Sequence, residues 1–356
     1  MNRLWCILAV VVVAVALASG ASAQSPLVRH GDPVPRDVRE LYDAGCRFLV
    51  SKQDASGSWP DNQQGPGVDG MALMVLLASG EDPNFGAYRT PIRRALRSII
   101  RYQDATTGYY GGSRNGNSSM YHHGFAMLAV AEAYGVVDDR TLWTEDGGDG
   151  KGRSLGQSLE LAVKLAVDSA KANPLGAWRY MPQSTDADTS VSGAVFMGLL
   201  AARNAGIDVP QETIDRAIRY YVSVTNAQGQ VGYSSVGGGT DATTSIGGLV
   251  MAIAHRKELP QYQKILARMI ERSRADDTRN HYGAYTDYYQ AQALFQADFD
   301  VWRQWNEKLV QQLKARRQAD GGFAAPHSGI GSPIVETSLS LLSIAINYRF
   351  LPVYER

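Results

Sequence analysis

A glycine followed within two residues by an aromatic, set after an amphipathic stretch and before an apolar one, recurs six times along the chain. No other feature constrains the fold as tightly. The copies are Gly57-Ser58-Trp59, Gly108-Tyr109-Tyr110, Gly176-Ala177-Trp178, Gly232-Tyr233, Gly283-Ala284-Tyr285 and Gly322-Phe323. Their aromatics stand 51, 68, 55, 52 and 38 residues apart. Before each copy runs an amphipathic stretch: 38–52, 92–103, 155–172, 212–224, 262–274 and 305–318. After each runs a small-residue-rich apolar one: 69–78, 122–134, 190–205, 245–255, 288–299 and 337–348. In the second amphipathic stretch Ile92, Leu96, Ile99 and Ile100 share one face while Arg93, Arg94, Arg97 and Arg101 take the other, the spacing of a half-buried helix. Several of the apolar stretches, such as Gly193–Leu200 and Ile246–Ala254, are apolar nearly all round and need burial on more than one side. Each unit therefore reads as an outer helix, a Gly-aromatic loop and an inner helix, and such units must stack on one another. Both terminal units look like ordinary members, which favours closure. The expected architecture is all-α, an (α/α)6 barrel of six helix hairpins spanning residues 35–356 as a single domain.

The start of the chain belongs to a different class of sequence. Met1-Asn2-Arg3 carries one positive charge, Leu4 to Leu17 is almost wholly apolar, and Ala21-Ser22-Ala23 is a small-residue cleavage signal. This is the layout of a signal peptide over residues 1–23, cut after Ala23, with 24–34 as an N-terminal extension. The expectation is an exported protein, periplasmic or extracellular, with no membrane span in the mature chain. Cleavage would remove Cys6 and leave Cys46 as the one cysteine, so neither an internal disulfide nor a multi-cysteine zinc site is available. The balance of 35 basic against 35 acidic side chains gives no electrostatic footprint for nucleic acid. No metal and no cofactor are expected.

Thr185-Asp186-Ala187-Asp188-Thr189-Ser190-Val191 recurs as Thr240-Asp241-Ala242-Thr243-Thr244-Ser245-Ile246, with a weaker echo at Glu336-Thr337-Ser338-Leu339. Asp, Thr and Ser just before an apolar helix are N-cap residues, and a carboxylate there also suits the helix dipole. All inner helices then start at one end of the ring. That end gathers Asp186, Asp188, Asp241, Trp178, Tyr180, Tyr285 and the cluster Tyr121-His122-His123, with His281 and His327 in equivalent loops, and forms the mouth of a central cavity. His122 and His123 diverge by roughly 100° on a helix, so one is expected to line the cavity and the other to pack against a loop. The acidic, glycine-rich insert Trp143 to Gly152 fits no EF-hand spacing and reads as a solvated loop.

Phe48 to Trp59, with Gln53, Gly57 and Trp59 in register, resembles the QW repeat (Q-x-x-x-G-x-W) of squalene cyclases and related prenyltransferase repeats; Gln103–Tyr110 and Gln318–Phe323 are degenerate copies. The resemblance covers residues 35 to the C-terminus and implies the α/α toroid of the terpenoid cyclase and protein prenyltransferase superfamily. The motif itself reads as structural: Gln53 bonding orphaned carbonyls at the end of an outer helix, Gly57 permitting the reversal, Trp59 packing between repeats.

The same resemblance bears on chemistry. Cyclases of this kind protonate an alkene or epoxide with the middle Asp of D-x-D-D. Asp186-Ala187-Asp188-Thr189 keeps two of those positions, and carry-over makes Asp188 the acid and Asp186 its neighbour. Asp186 recurs as Asp241, so the pair also reads as a repeated cap. The Asp-x-Cys of a prenyltransferase zinc site and the Cys-Gly-Glu-Gln of thioester domains are absent after Ala23. Two readings follow. In one the chain binds a ligand or partner at the mouth, isoprenoid, glycan or protein, without an intact cyclase or prenyltransferase site. In the other it is an enzyme, cyclase-like or glycan-active, with Asp186 and Asp188 as a general-acid pair.

Overall fold

The structure, a computed structural model, describes residues 34–60, 65–111, 119–274, 283–325, 331–348 and 351. The signal-like segment of residues 1–23 and the extension to 33 lie outside them, as do His281 and His327. The described residues form twelve helices in strict alternation. The outer ones are α1 (Arg36–Lys52), α3 (Arg89–Tyr102), α5 (Leu155–Ala172), α7 (Gln211–Ser223), α9 (Pro260–Arg274) and α11 (Phe299–Arg316). The inner ones are α2 (Pro66–Leu77), α4 (Ser119–Ala133), α6 (Thr189–Asn204), α8 (Asp241–Ile253), α10 (Ala284–Ala297) and α12 (Pro333–Ala345).

The inner helices pack in the order α2, α4, α6, α8, α10, α12, and α12 returns to α2, so the ring is closed. Each outer helix from α5 to α11 sits in the groove between two inner ones, α1 lies between α12 and α2, and α1 also touches α11. The fold is thus an α/α toroid. The burial pattern follows from the composition of the two layers. Every residue of α2 is buried, as is α6 from Thr189 to Ala202, whereas α1 and α7 bury one stripe.

The glycine of each loop closes the gap between successive units. Gly57 has φ +91°, and a Cβ there would stand 2.2 Å from the Arg94 carbonyl oxygen of α3. Gly108, Gly176 and Gly229 press in the same way on Leu161, Arg216 and Lys264 of the next outer helix. Gly321, φ +93°, lies against Ala44 of α1 and so closes the ring. Gln53 spans the same seam: its Nε2 donates to Gly57 O and to Pro91 O, both at 3.0 Å. The expected orphan carbonyls of α1 are not its partners; it ties its own loop to the first turn of the next outer helix. Gln103 does likewise with Gly108 O and Ser158 O.

A second contact recurs one step inward. In five loops the backbone N–H of the apolar residue donates to an inner-helix side chain: Trp59 to Asp69, Tyr110 to His123, Trp178 to Ser192, Val231 to Thr244 and Phe323 to Thr337. This register corrects two of the sequence repeats. In the fourth unit Gly229 and Val231 hold the places of Gly57 and Trp59, so Gly232-Tyr233 lies beyond the repeat position. In the fifth, Gly283 is the N-cap of α10 and Tyr285 is inside that helix. Helix α10 accordingly begins at Ala284, and α11 begins at Phe299, capped by Asp298, six residues before the amphipathic stretch read from sequence.

The acidic insert is not merely solvated. Leu142 and Trp143 are buried, and four arginines of α3 bind the segment. Arg89 pairs with Glu145 and Asp146, Arg93 with Asp146, and Arg101 with Asp149. Arg97 donates to the carbonyls of Leu142, Glu145 and Asp146. Arg93 and Arg97 are only 2% exposed, so the insert covers this part of the basic face of α3, while Arg94 and Arg101 stay exposed.

Candidate functional site at the mouth of the ring

Alternation of outer and inner helices puts the six inner N-termini at one end. They are laced together. Met120 N donates to Tyr180 O at 3.1 Å, Thr189 N to Tyr233 O at 2.7 Å, and Gly67 N to His122 Nδ1 at 3.2 Å.

Asp188 is the N-cap of α6. Its Oδ1 accepts from Val191 N at 2.8 Å, while the buried Oδ2 faces Arg179. The residue is fully buried, and that burial raises its pKa against the opposing pull of the Val191 N–H, the Tyr233 hydroxyl and Arg179. Asp186 differs: it is largely exposed and ion-paired with Arg179, whose Nε stands 3.8 Å from Asp188 Oδ2. The two carboxylates thus share an arginine instead of a proton, unlike a paired general acid. The other mouth carboxylates are also neutralised, Asp241 by Arg272 at 3.0 Å and Glu336 by Arg316.

The repeated motif caps its two helices differently. Aligned with Asp188 is Thr243, and α8 starts three residues earlier in the motif, at Asp241, capped by a Thr240–Thr243 capping box. A hydroxyl at 243 can serve inside the first turn, where it donates to Val231 O. In α12 the cap is Ser332, and Glu336-Thr337 lie within the helix.

The two histidines are both committed to the scaffold. His123 is fully buried; Nδ1 accepts from Tyr110 N at 3.2 Å and Nε2 lies 3.1 Å from Ala162 O. His122 packs on Gly65 and Gly67 at the start of α2. Burial holds both at a pKa of about 4, so both are neutral at pH 7. Trp178 is 1% exposed and donates its indole N–H to Ala166 O, which places it in the wall. Tyr180 stands at the opening, its hydroxyl 2.7 Å from that of Tyr233 and its ring under Arg179.

Aromatic side chains meet across the ring axis. α4 and α10 are opposite members of the ring. At the first-turn level the hydroxyls of Tyr121 and Tyr285 interact with each other and with Ser190 of α6. One turn deeper the rings of Phe125 and Tyr288 stand 6.2 Å apart. Tyr289 packs edge-on against Tyr285 and Tyr288. The buried Oη atoms of Tyr285 and Tyr289 face each other, and that of Tyr285 also faces the hydroxyls of Tyr121 and Ser190. The sequence pattern points to Tyr121, Tyr285, Asp186 and Asp188 as site residues, but not to Tyr233, Tyr289, Ser190 or the three arginines. Arg179 directly follows Trp178, but its pairing depends on where two loops lie in space.

No protein-family model matches the chain, and no curated protein sequence matches it. Solved structures do. The chain is similar to the type II terpene cyclase MstE from Scytonema in complex with geranylgeranyl dihydroxybenzoate, with 14% identity, TM-score 0.59, and 88% of this chain and 98% of that one covered. It is similar to GH76A, an alpha-1,6-mannanase of Salegentibacter sp. HEL1_6 in complex with alpha-1,6-mannotetrose, at 10% identity and TM-score 0.63, covering 86% and 98%. A protein from Actinoplanes matches at 13% identity and TM-score 0.60, covering 88% and 99%. At such identities the shared property is the α/α toroid.

Proposed function

We propose that this toroid binds a polyhydroxylated ligand, a saccharide, at its mouth, and carries out no isoprenoid cyclisation. The observation that carries the reading is the cluster of hydroxyls of Tyr121, Tyr285, Tyr289 and Ser190 gathered across the axis. Each hydroxyl both donates and accepts, so a ligand rich in hydroxyls can exchange hydrogen bonds with such a cluster. A carbocation needs the opposite surroundings: a water-free apolar chamber without nucleophilic oxygen. The mannanase neighbour was solved with a tetrasaccharide, which is in keeping with this ligand class on this architecture. The signal-like segment of residues 1–23 supports action outside the cytoplasm. Among the described residues no helix is long and apolar enough to cross a membrane.

One observation favours a second reading. Asp188 is fully buried, and burial favours its protonated acid despite Arg179 and the Tyr233 hydroxyl. In that reading Asp188 alone, not a pair with Asp186, is the proton donor.

The test is a thermal-shift and calorimetric titration with alpha-1,6-mannotetraose, maltotetraose and geranylgeranyl dihydroxybenzoate as probes. Stabilisation by a saccharide, weakened tenfold or more in Tyr285→Phe, is the expected result. Stabilisation by the isoprenoid alone, lost in Asp188→Asn, would overturn the saccharide reading in favour of the second.

A further inference from the structure

Two buried titratable groups occupy one repeat position in adjacent units, and both join their unit to the next. Asp69 of α2 accepts from Trp59 N at 3.0 Å and Ser58 Oγ at 3.0 Å through Oδ1, and from Ser98 Oγ of α3 at 2.8 Å through Oδ2. His123 of α4 takes the Tyr110 N–H on Nδ1 and reaches Ala162 O of α5 with Nε2. The third, fourth and sixth units fill the position with Ser192, Thr244 and Thr337, which do not titrate. We propose that the second unit, α3–α4, is a titratable segment of the ring whose weaker joint moves from the α4–α5 side in acid to the α2–α3 side near neutrality.

The chemistry of each joint sets its sign. A neutral Asp69 keeps its contacts, because its own proton can be given to Ser98, whose hydroxyl turns to accept. An ionised Asp69 is a buried charge with hydroxyl and amide donors but no cation; the charged group facing it is Asp54, of like sign. Burial pushes its pKa up to about 7, whereas an exposed Asp titrates at about 3.9. The proton is therefore held more tightly by the closed joint. Closed-state stability is full below the unfolded value, falls as pH rises, and levels off above about 7.

His123 behaves in reverse. Its Nδ1 must be bare to accept the Tyr110 N–H, so the proton sits on Nε2 and is given to Ala162 O. A second proton on Nδ1 would set N–H against N–H. The groups facing it are the Tyr109 and Tyr110 rings, with Tyr110 bonded to Ser158, so no carboxylate is there to hold an imidazolium. Its pKa is depressed to about 4 against an ordinary value near 6.5. Stability at this joint is full above the ordinary value and lost as pH falls toward 4.

The experiment is hydrogen exchange with mass spectrometry from pH 4 to 8, corrected for the intrinsic rate, reading the loops 54–59, 104–110 and 173–178. The opening constant of the first loop is expected to rise up to tenfold per pH unit toward 7, and that of the second to rise up to tenfold per unit toward 4. The third, held by Ser192, stays flat and serves as control. Asp69→Thr and His123→Ser, which install the residues used at this position by other units, should each flatten one slope. Should the variants not fold, the wild-type profiles decide alone. Slopes of equal sign in the first two loops, or flat profiles, overturn the proposal.

Discussion

Two glycines with nearly the same backbone angle separate the cost of a left-handed residue from the cost of a crowded seam. Gly206 follows α6 at φ +91° with nothing within 4 Å of a built Cβ. Gly321 closes the ring at φ +93° with Ala44 O only 2.5 Å from that Cβ. Substitution by alanine strains both by about 1–2 kcal/mol. Lost freedom in the unfolded chain returns about 0.4–1 kcal/mol to both. Gly206→Ala should therefore cost at most about 1–2 kcal/mol. Gly321→Ala must also push the last loop away from α1, an overpacking of about 1–3 kcal/mol, for a net cost of about 1–4.6 kcal/mol.

Urea unfolding followed by tryptophan fluorescence measures the difference, since Trp59 and Trp178 are buried in the walls between helices. The quantity that matters is the gap between the two variants at an unchanged denaturant slope. A gap of about 1–3 kcal/mol with Gly321→Ala the weaker supports a ring sealed by backbone contact. Equal losses would show that the loop yields freely at the closure point, and the account of the loop glycines would fail with it.

Other expectations rest on single contacts. Asp146→Asn leaves the buried Arg93 without its carboxylate and should cost about 3 kcal/mol, read as faster protease cleavage within 145–152. Asp188→Ala removes the α6 cap and should lower stability by about 1–2 kcal/mol, while Asp188→Asn keeps it; equal losses in urea would argue against the capping role. Cys46 is fully buried and its thiol pushed up to about 12, so it should resist maleimide at pH 8 in the folded protein and label fully in denaturant.

How much could be read from the chain depended on whether the signal was local. The six hairpins were legible because each unit repeats a 3.6-residue pattern and a glycine stop, and both are encoded within one unit. The closed ring followed from the lack of distinct end units. The fourth and fifth repeats were misplaced because Gly232-Tyr233 and Gly283-Ala284-Tyr285 match the motif in letters. Their position is fixed by which N–H meets the inner helix, and Val231, not an aromatic, makes that contact. The α3 arginines were assigned to the face away from the core, correctly, yet a segment some 50 residues downstream covers part of that face.

The mouth was the least legible part, for an electrostatic reason. Asp186 and Asp188 are two residues apart, and sequence spacing alone brings their carboxylates together. Whether they share a proton depends on what lies between them, and here it is Arg179. An arginine bridging two carboxylates favours their ionised forms, whereas a lone buried carboxyl favours its neutral one. Asp188 feels both, and burial wins because only Nε approaches it, at 3.8 Å, while Nη1 of the guanidinium is turned to Asp186. Arg179→Met should then raise the Asp188 pKa further, because it removes the cation without restoring water. Side-chain carboxyl NMR across a pH titration would follow it. A lowered Asp188 pKa in that variant would mean that water enters when the arginine leaves, and that Arg179 seals the mouth as well as neutralising it.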